Sequence, residues 1–293
     1  MASGTDAIEH AGSRMRNMPS SEVVVDIQPS GGWTALKLKE LWKYRELLYF
    51  LAWREVKVRY KQTAIGAAWA IIQPLLNMLI FTLFFGRVAH LPSDGLPYEL
   101  FSLGALVPWM FFSNGLSQCS NSLVGNANLI TKVYFPRLSV PISAVLSGLV
   151  DFGLAFLLLI GLALIKGVYP TAHVIWLPAF ILMALVTALG AGLWLSALNV
   201  EYRDVRYIVP FIIQFWMFGS PVVYATSSLP EQWRVLYGLN PMVGVIDGFR
   251  WAVLGAGSAP GPVIWASAAM SLVLLISGAF YFRRMETTFA DIV

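Results

Sequence analysis

Four cations, Arg54, Lys57, Arg59 and Lys61, stand close together and run straight into apolar sequence, with no further Lys or Arg before Arg87. Positions 54, 57 and 61 are three and four apart, so a helix would place them on one face. Such a face can hold lipid phosphates. For each cation taken singly, the plainer reading is an anchor at the cytoplasmic end of a membrane span. Asp151 is the one acid well inside an apolar stretch. An intramembrane carboxylate can relay protons or touch substrate. A relay, however, needs several titratable groups in series, and the structural alternative is a cap on a packed polar interface with Ser147 one turn away. Hydrolytic chemistry has no foothold. A phosphate-binding loop ends in Lys-Ser or Lys-Thr, and none of the lysines precedes Ser or Thr. His10, His90 and His173 lack metal-ligand spacing, and Asp94, Glu99 and Glu231 read as solvated loop charge. The chain is therefore not expected to be an enzyme: no catalytic residue, metal or cofactor is expected on it, and any ATP use falls to a partner.

The elements that carry these groups belong to a membrane protein. The sequence is 57% apolar and 12% charged, with a mean hydropathy of +0.67, against roughly 25% charge in a soluble domain. The net charge of +4 reads as a topology signal, not a nucleic-acid footprint, because the basic residues flank apolar spans. The single cysteine, Cys119, excludes an internal disulfide.

Three segments follow in chain order. Residues 1–32 are polar, without periodicity, and read as a disordered cytoplasmic tail. Residues 33–62 form an amphipathic interface helix and the basic segment: Leu38, Leu41, Trp42, Leu48 and Tyr49 recur at helical steps while Lys39, Glu40, Lys43 and Glu46 fall elsewhere on the wheel. Residues 63–293 form the transmembrane domain. Its apolar runs predict spans at 65–85, 100–116, 140–165, 174–198, 207–224 and 263–282, each close to the roughly 20 residues a bilayer requires. The first carries Gln73, Pro74 and Asn77, which turn toward protein or a water-filled path. The apolar segment 243–254, interrupted by Asp247 and Arg250, is too short to cross and reads as a re-entrant or interfacial helix. The expected fold is thus an all-α integral membrane protein with six transmembrane helices. With the N-terminus inside, every Lys and Arg except Arg87, Lys166, Arg234 and Arg250 falls on a cytoplasmic segment, a bias that puts both ends in the cytoplasm.

Two further patterns suggest surfaces. Aromatics gather on the first two spans (Phe84, Phe85, Trp109, Phe112) and on the fifth (Phe211, Phe215, Trp216, Phe218, Tyr224, with Gln214 among them). Flat C–H faces of sugar rings stack on aromatics, so these residues are candidates for a glycan path. The alternative is interfacial belts and ordinary packing. Residues 117–139 make a long connection, a polar Asn/Ser part joined to a short apolar-basic part ending at Pro136. That composition suits a helix docking into a groove on a cytoplasmic protein, or a plain amphipathic connector.

Four stretches resemble the permease subunits of polysaccharide and polyol-phosphate ABC exporters, which export O-antigen, capsule or teichoic-acid chains. They are Arg-Glu-Val-Lys-Val-Arg-Tyr-Lys-Gln-Thr-Ala-Ile-Gly-Ala-Ala-Trp at 54–69 with Gln73-Pro74, Asn-Leu-Ile-Thr-Lys-Val-Tyr-Phe-Pro-Arg at 128–137, Asn-Val-Glu-Tyr-Arg-Asp-Val-Arg-Tyr at 199–207, and Asn240-Pro241-Met242. The likeness spans about 34–293. It implies a homodimer of six-span subunits in the bacterial inner membrane, bound to two copies of an ATPase that carries ATP and Mg, and moving a glycan on an undecaprenyl-diphosphate lipid. It also implies that the 128–137 region, with Asn128, Leu129, Lys132, Tyr134, Phe135 and Arg137, couples to the ATPase, and that Arg54, Lys57, Arg59 and Lys61 face lipid phosphate at the inner leaflet. An ABC permease for lipids or drugs is the alternative. An ion-coupled carrier is a weaker one, since it would want several intramembrane charges.

Overall fold

The computed structural model describes residues 42–61, 66–133, 135–257, 261–286 and 289. Expectations placed on 1–32, on Leu38, Lys39, Glu40 and Leu41, and on Tyr134 lie outside the described residues. Every regular element among the described residues is helical. Helix α1 is Arg45–Lys61. Helix α2, Trp69–Phe81, is entered through a 3-10 turn, Gly66–Ala68, and leaves as a π-helical segment, Thr82–Val88. Then come α3 (Tyr98–Gly125), α4 (Ala127–Lys132), α5 (Ser139–Ile165), α6 (Leu177–Glu201), α7 (Val205–Phe218), α8 (Glu231–Tyr237), α9 (Pro241–Leu254) and α10 (Pro262–Met285).

Among the described residues, five helical stretches are long and apolar enough to cross a bilayer: Gly66–Val88, Tyr98–Gly125, Ser139–Ile165, Ala172–Glu201 and Pro262–Met285. The expected fifth span is different. Helix α7 has 14 residues, about 21 Å at 1.5 Å per residue, short of the roughly 30 Å hydrocarbon core. The segment after Gly219 turns back on α7 instead of extending it: Asn240 Nδ2 donates to the Gly219 carbonyl at 2.7 Å and to Ser220 Oγ at 2.9 Å.

The second span also differs, running on to Gly125 and absorbing the first part, 117–125, of the expected 117–139 connection. Its Ser and Asn side chains bond their own helix, Ser120 Oγ to the Ser117 carbonyl at 2.8 Å, Ser122 Oγ to that of Cys119 at 2.7 Å and Asn121 Nδ2 to that of Ser117 at 2.8 Å. In that conformation polar side chains are satisfied without leaving the helix.

Helix α3 is the centre, buried from Leu100 to Leu123 between α5 and α6, with α10 on the far side of α6. Lipid is as apolar as leucine, so small residues that admit close backbone approach hold such helices together. Gly190 of α6 lies so near α10 that a Cβ there would stand 2.5 Å from the Leu275 amide nitrogen, and Gly192 faces Cys119 of α3 in the same way.

Helix α9 is the short helix expected at 243–254, longer by two residues and inserted into the protein. Asn240 caps it, its Oδ1 accepting from the Met242 amide at 3.0 Å. Gly255 in the left-handed region (φ 65°) ends it. Arg250 is buried, donating from Nε to the Phe101 carbonyl at 3.0 Å and from a terminal nitrogen to that of Val222 at 3.1 Å, with its guanidinium 3.6 Å from the Phe101 ring centre.

Among the described residues, two apolar clusters make up most of the interior, beside a third, minor one of Tyr98, Phe101 and Ala225. The larger contains Leu103, Phe112, Leu116, Phe152, Met242 and Phe249. The smaller gathers Leu51, Leu123, Ile130, Phe135, Val140, Val200 and Phe282.

Candidate functional site

Helix α1 is not segregated into an apolar and a basic face. Tyr49, Phe50, Trp53 and Val58 are exposed alongside Arg54, Lys57 and Lys61. Leu51 sits in the smaller cluster with Val140 near the start of α5, and Arg59 reaches Asp151 near its middle. The helix therefore runs beside α5 in the same sense, instead of lying apart from the spans.

Its inward contact is a polar knot. Arg59 forms an ion pair with Asp151 and also donates to Gln118 Oε1 and, at 3.2 Å, to Ser147 Oγ. Tyr60 donates its hydroxyl to the second Asp151 oxygen. Burial, then the Asp151 carboxylate, raise the Tyr60 phenol above its usual range, so it stays a donor. Side chains of Arg59 and Asp151 are 27% and 21% exposed. Breaking the pair should thus cost more than the ~0–1 kcal/mol of a surface pair and less than the ~3–5 kcal/mol of a fully buried one.

These contacts revise two expectations. Arg59 is turned into the protein and neutralised, unlike Arg54, Lys57 and Lys61, which remain exposed. Asp151 does cap a polar interface, but through Arg59 and Tyr60; Ser147 serves Arg59 and Gln118 instead.

Beside the knot lies a cavity of about 580 Å³ between α1, α2, α3 and α5. Arg59, Tyr60, Gln118 and Asp151 form its polar wall, and Trp69, Val107, Met110, Phe111 and Phe152 its apolar one. Gln73 and Asn114 also line it. Asn114 and the Arg59–Gln118 connection escaped the sequence reading. An isolated amide in an apolar span was the available signal for the first, and long-range pairing leaves none for the second.

The expected path aromatics separate into two groups. Trp109 and Phe112 are buried in the chain's own core, Phe112 edge-on to Trp216 with centroids 4.8 Å apart. Residues buried that deeply cannot line a path through this chain's surface. Trp216 Nε1 donates to Asn240 Oδ1 at 2.8 Å, and Tyr224 shares a 2.8 Å hydroxyl contact with Tyr237. Phe85 is half-buried against Phe81. Phe84 is exposed, and Phe211, Phe215 and Phe218 form an exposed stripe along α7 with Tyr207, Ile208 and Gln214.

The expected coupling residues also separate. Helix α4 exposes Asn128 and Lys132, with Thr131 and Val133 beside them. Leu129 and Ile130 pack inward, Phe135 is buried in the smaller cluster, and Arg137 donates to the Glu286 carbonyl. Phe135 is thus a core residue, buried in one cluster with Ile130 of α4 and Phe282 of α10.

Sequence comparison supplies the frame for this geometry. Residues 46–254 match the family described as ABC-2 type transporter. The chain belongs to that family. Among its curated relatives, the O-antigen export system permease protein RfbA of Myxococcus xanthus is 31% identical over 256 residues, 87% of this chain and 98% of that relative. An O-antigen export system permease protein RfbA of Klebsiella pneumoniae is 27% identical over 85% of this chain and 95% of its own length. The polysialic acid transport protein KpsM of Escherichia coli is 22% identical over 80% and 91% respectively. The matched family region contains α1, the knot, the cavity, α4 and α9.

Proposed function

We propose that this chain is the membrane-spanning permease subunit of an ATP-driven exporter that carries a lipid-linked polysaccharide of O-antigen type across the bacterial inner membrane. The observation that carries the reading is likeness over 98% of an O-antigen export permease. The chain works as a homodimer with two copies of a separate ATPase, which holds ATP and Mg. Exposed Asn128, Thr131, Lys132 and Val133 on and after α4 offer the ATPase its docking surface. The exposed stripe Phe211, Phe215 and Phe218, with Phe84, offers apolar faces to a second copy or to the passing glycan.

The topology that fits is six crossings, α7 and the turn after it serving as the fifth, with both termini cytoplasmic. The Lys and Arg distribution supports it. So does the grouping of Glu99 with Lys166 (3.7 Å) and of Asp94 with Ser227 (2.6 Å) at the ends away from α4. Arg54, Lys57 and Lys61 then face inner-leaflet phosphate. A closing motion of the ATPases supplies the differential affinity that a conformational change requires.

The test is gene deletion with complementation. Loss of the surface glycan, with lipid-linked glycan accumulating inside and an ATPase co-purifying with the tagged chain, is the expected result. Unchanged surface glycan with altered lipid or drug efflux would overturn it.

A further inference from the structure

The cavity beside the Arg59–Asp151 pair has an unusual chemical balance for a site at membrane depth. Its cation is already paired with its carboxylate. Phosphate sites, by contrast, present uncommitted Arg, Lys or helix N-termini. Around this neutral pair stand three amides. Gln118 accepts from Arg59 and Ser147, whereas Gln73 and Asn114 make no hydrogen bond among the described residues, although both line the cavity. Neither amide is buried, so both can turn to a ligand that enters the cavity, and one that carries hydroxyls can bond them as donor and acceptor. The apolar part of the lining offers the exposed ring of Trp69; Phe111 and Phe152 also contribute to it but are largely buried. At about 580 Å³ the space falls within the roughly 300–1,000 Å³ of small-molecule sites.

We infer that this cavity receives an uncharged sugar ring, the one nearest the lipid in the exported conjugate, its hydroxyls on Gln73, Asn114 and Gln118 and its C–H face on the Trp69 ring. This rests on the functional reading above. The phosphates of the same conjugate stay outside, within reach of exposed Lys57 and Lys61 on the same helix as Arg59.

The test uses the full chain in phosphatidylcholine nanodiscs and three probes with one tail, hexyl β-D-glucoside, hexyl phosphate and hexanol, read by tryptophan fluorescence. The expected result is a saturable change with the glucoside that disappears in Trp69→Phe, with the phosphate and the alcohol giving no saturable change that depends on Trp69. Gln73→Ala, at an exposed position with no internal bond to lose, and Asn114→Ala should each weaken glucoside binding about 3- to 10-fold, the range of one hydrogen bond. Equal or tighter binding of hexyl phosphate would make this an anion site. Equal response to hexanol would make it an acyl-chain pocket, and no saturable signal would remove the site. Any of these overturns the inference. The functional reading stands or falls separately, on whether deleting the gene abolishes surface glycan.

Discussion

Arg59 and Asp151, 92 positions apart in sequence, form an ion pair that fastens the basic end of α1 to the middle of α5. Because Tyr60 holds the other oxygen of the same carboxylate, two adjacent residues of one helix converge on one acid. Arg59→Ala and Asp151→Asn should therefore each lower the thermal stability of the purified protein, since either one leaves a charge at membrane depth with no counter-ion. In the Arg59→Ala/Asp151→Asn double variant the losses should fall short of additive, with a coupling of about 0.5–3 kcal/mol. Additive losses would mean the two groups do not act as a pair.

Placement of the coupling region yields a different contrast. Phe135→Asp should reduce expression and stability, because it buries a carboxylate in the cluster of Leu51, Ile130 and Phe282. Lys132→Glu, on the exposed face of α4, should leave stability within about 0.5 kcal/mol yet lose ATPase co-purification and glycan export. Retained export in Lys132→Glu would count against α4 as the docking surface.

Helix packing can be checked through glycines. Gly190→Ala places a methyl group against the α10 backbone at Leu275 and should cost about 1–3 kcal/mol. Gly153→Ala, with open space around its Cβ position, should be neutral or slightly stabilising. Melting curves of the two variants side by side decide the matter.

Arg250 holds α9 in place by bonds to carbonyls of Phe101 and Val222. Arg250→Lys should not restore the wild-type melting temperature, because a single ammonium lacks the planar fork that reaches both carbonyls while covering a ring. Arg250→Met should be destabilising too, leaving two carbonyls short of a donor. Full stability in the lysine variant would show that the fork geometry is dispensable.

Long apolar runs made α2, α5, α6 and α10 legible before any coordinates, with ends shifted by a few residues. The short helix after Asn240 was legible too, as an apolar run at 243–254 too short to cross a bilayer. Polar composition misled at 117–125, where serines and asparagines bond back onto α3 and keep the helix going. Apolar composition misled at 219–224, where the chain turns under Asn240 instead of lengthening α7. Among site residues, side-chain type marked Arg59, Asp151 and Gln73 as unusual. Type alone could not say that the first two satisfy each other, since that depends on α1 lying along α5. Aromatic density likewise grouped Trp109 and Phe112 with Phe211 and Phe215, and only packing separates the buried pair from the exposed one.

The smaller apolar cluster has a mechanical consequence. Ile130 of α4 and Leu51 of α1 lie in that one cluster, so a load that displaces α4 must drag α1 with it or open a void in close-packed matter. Eight residues further along, α1 grips Asp151 at the cavity wall. One unbroken helix joins the two attachments, so α1 is placed to serve as a connecting rod between that cluster and the wall where Gln73 and Asn114 stand.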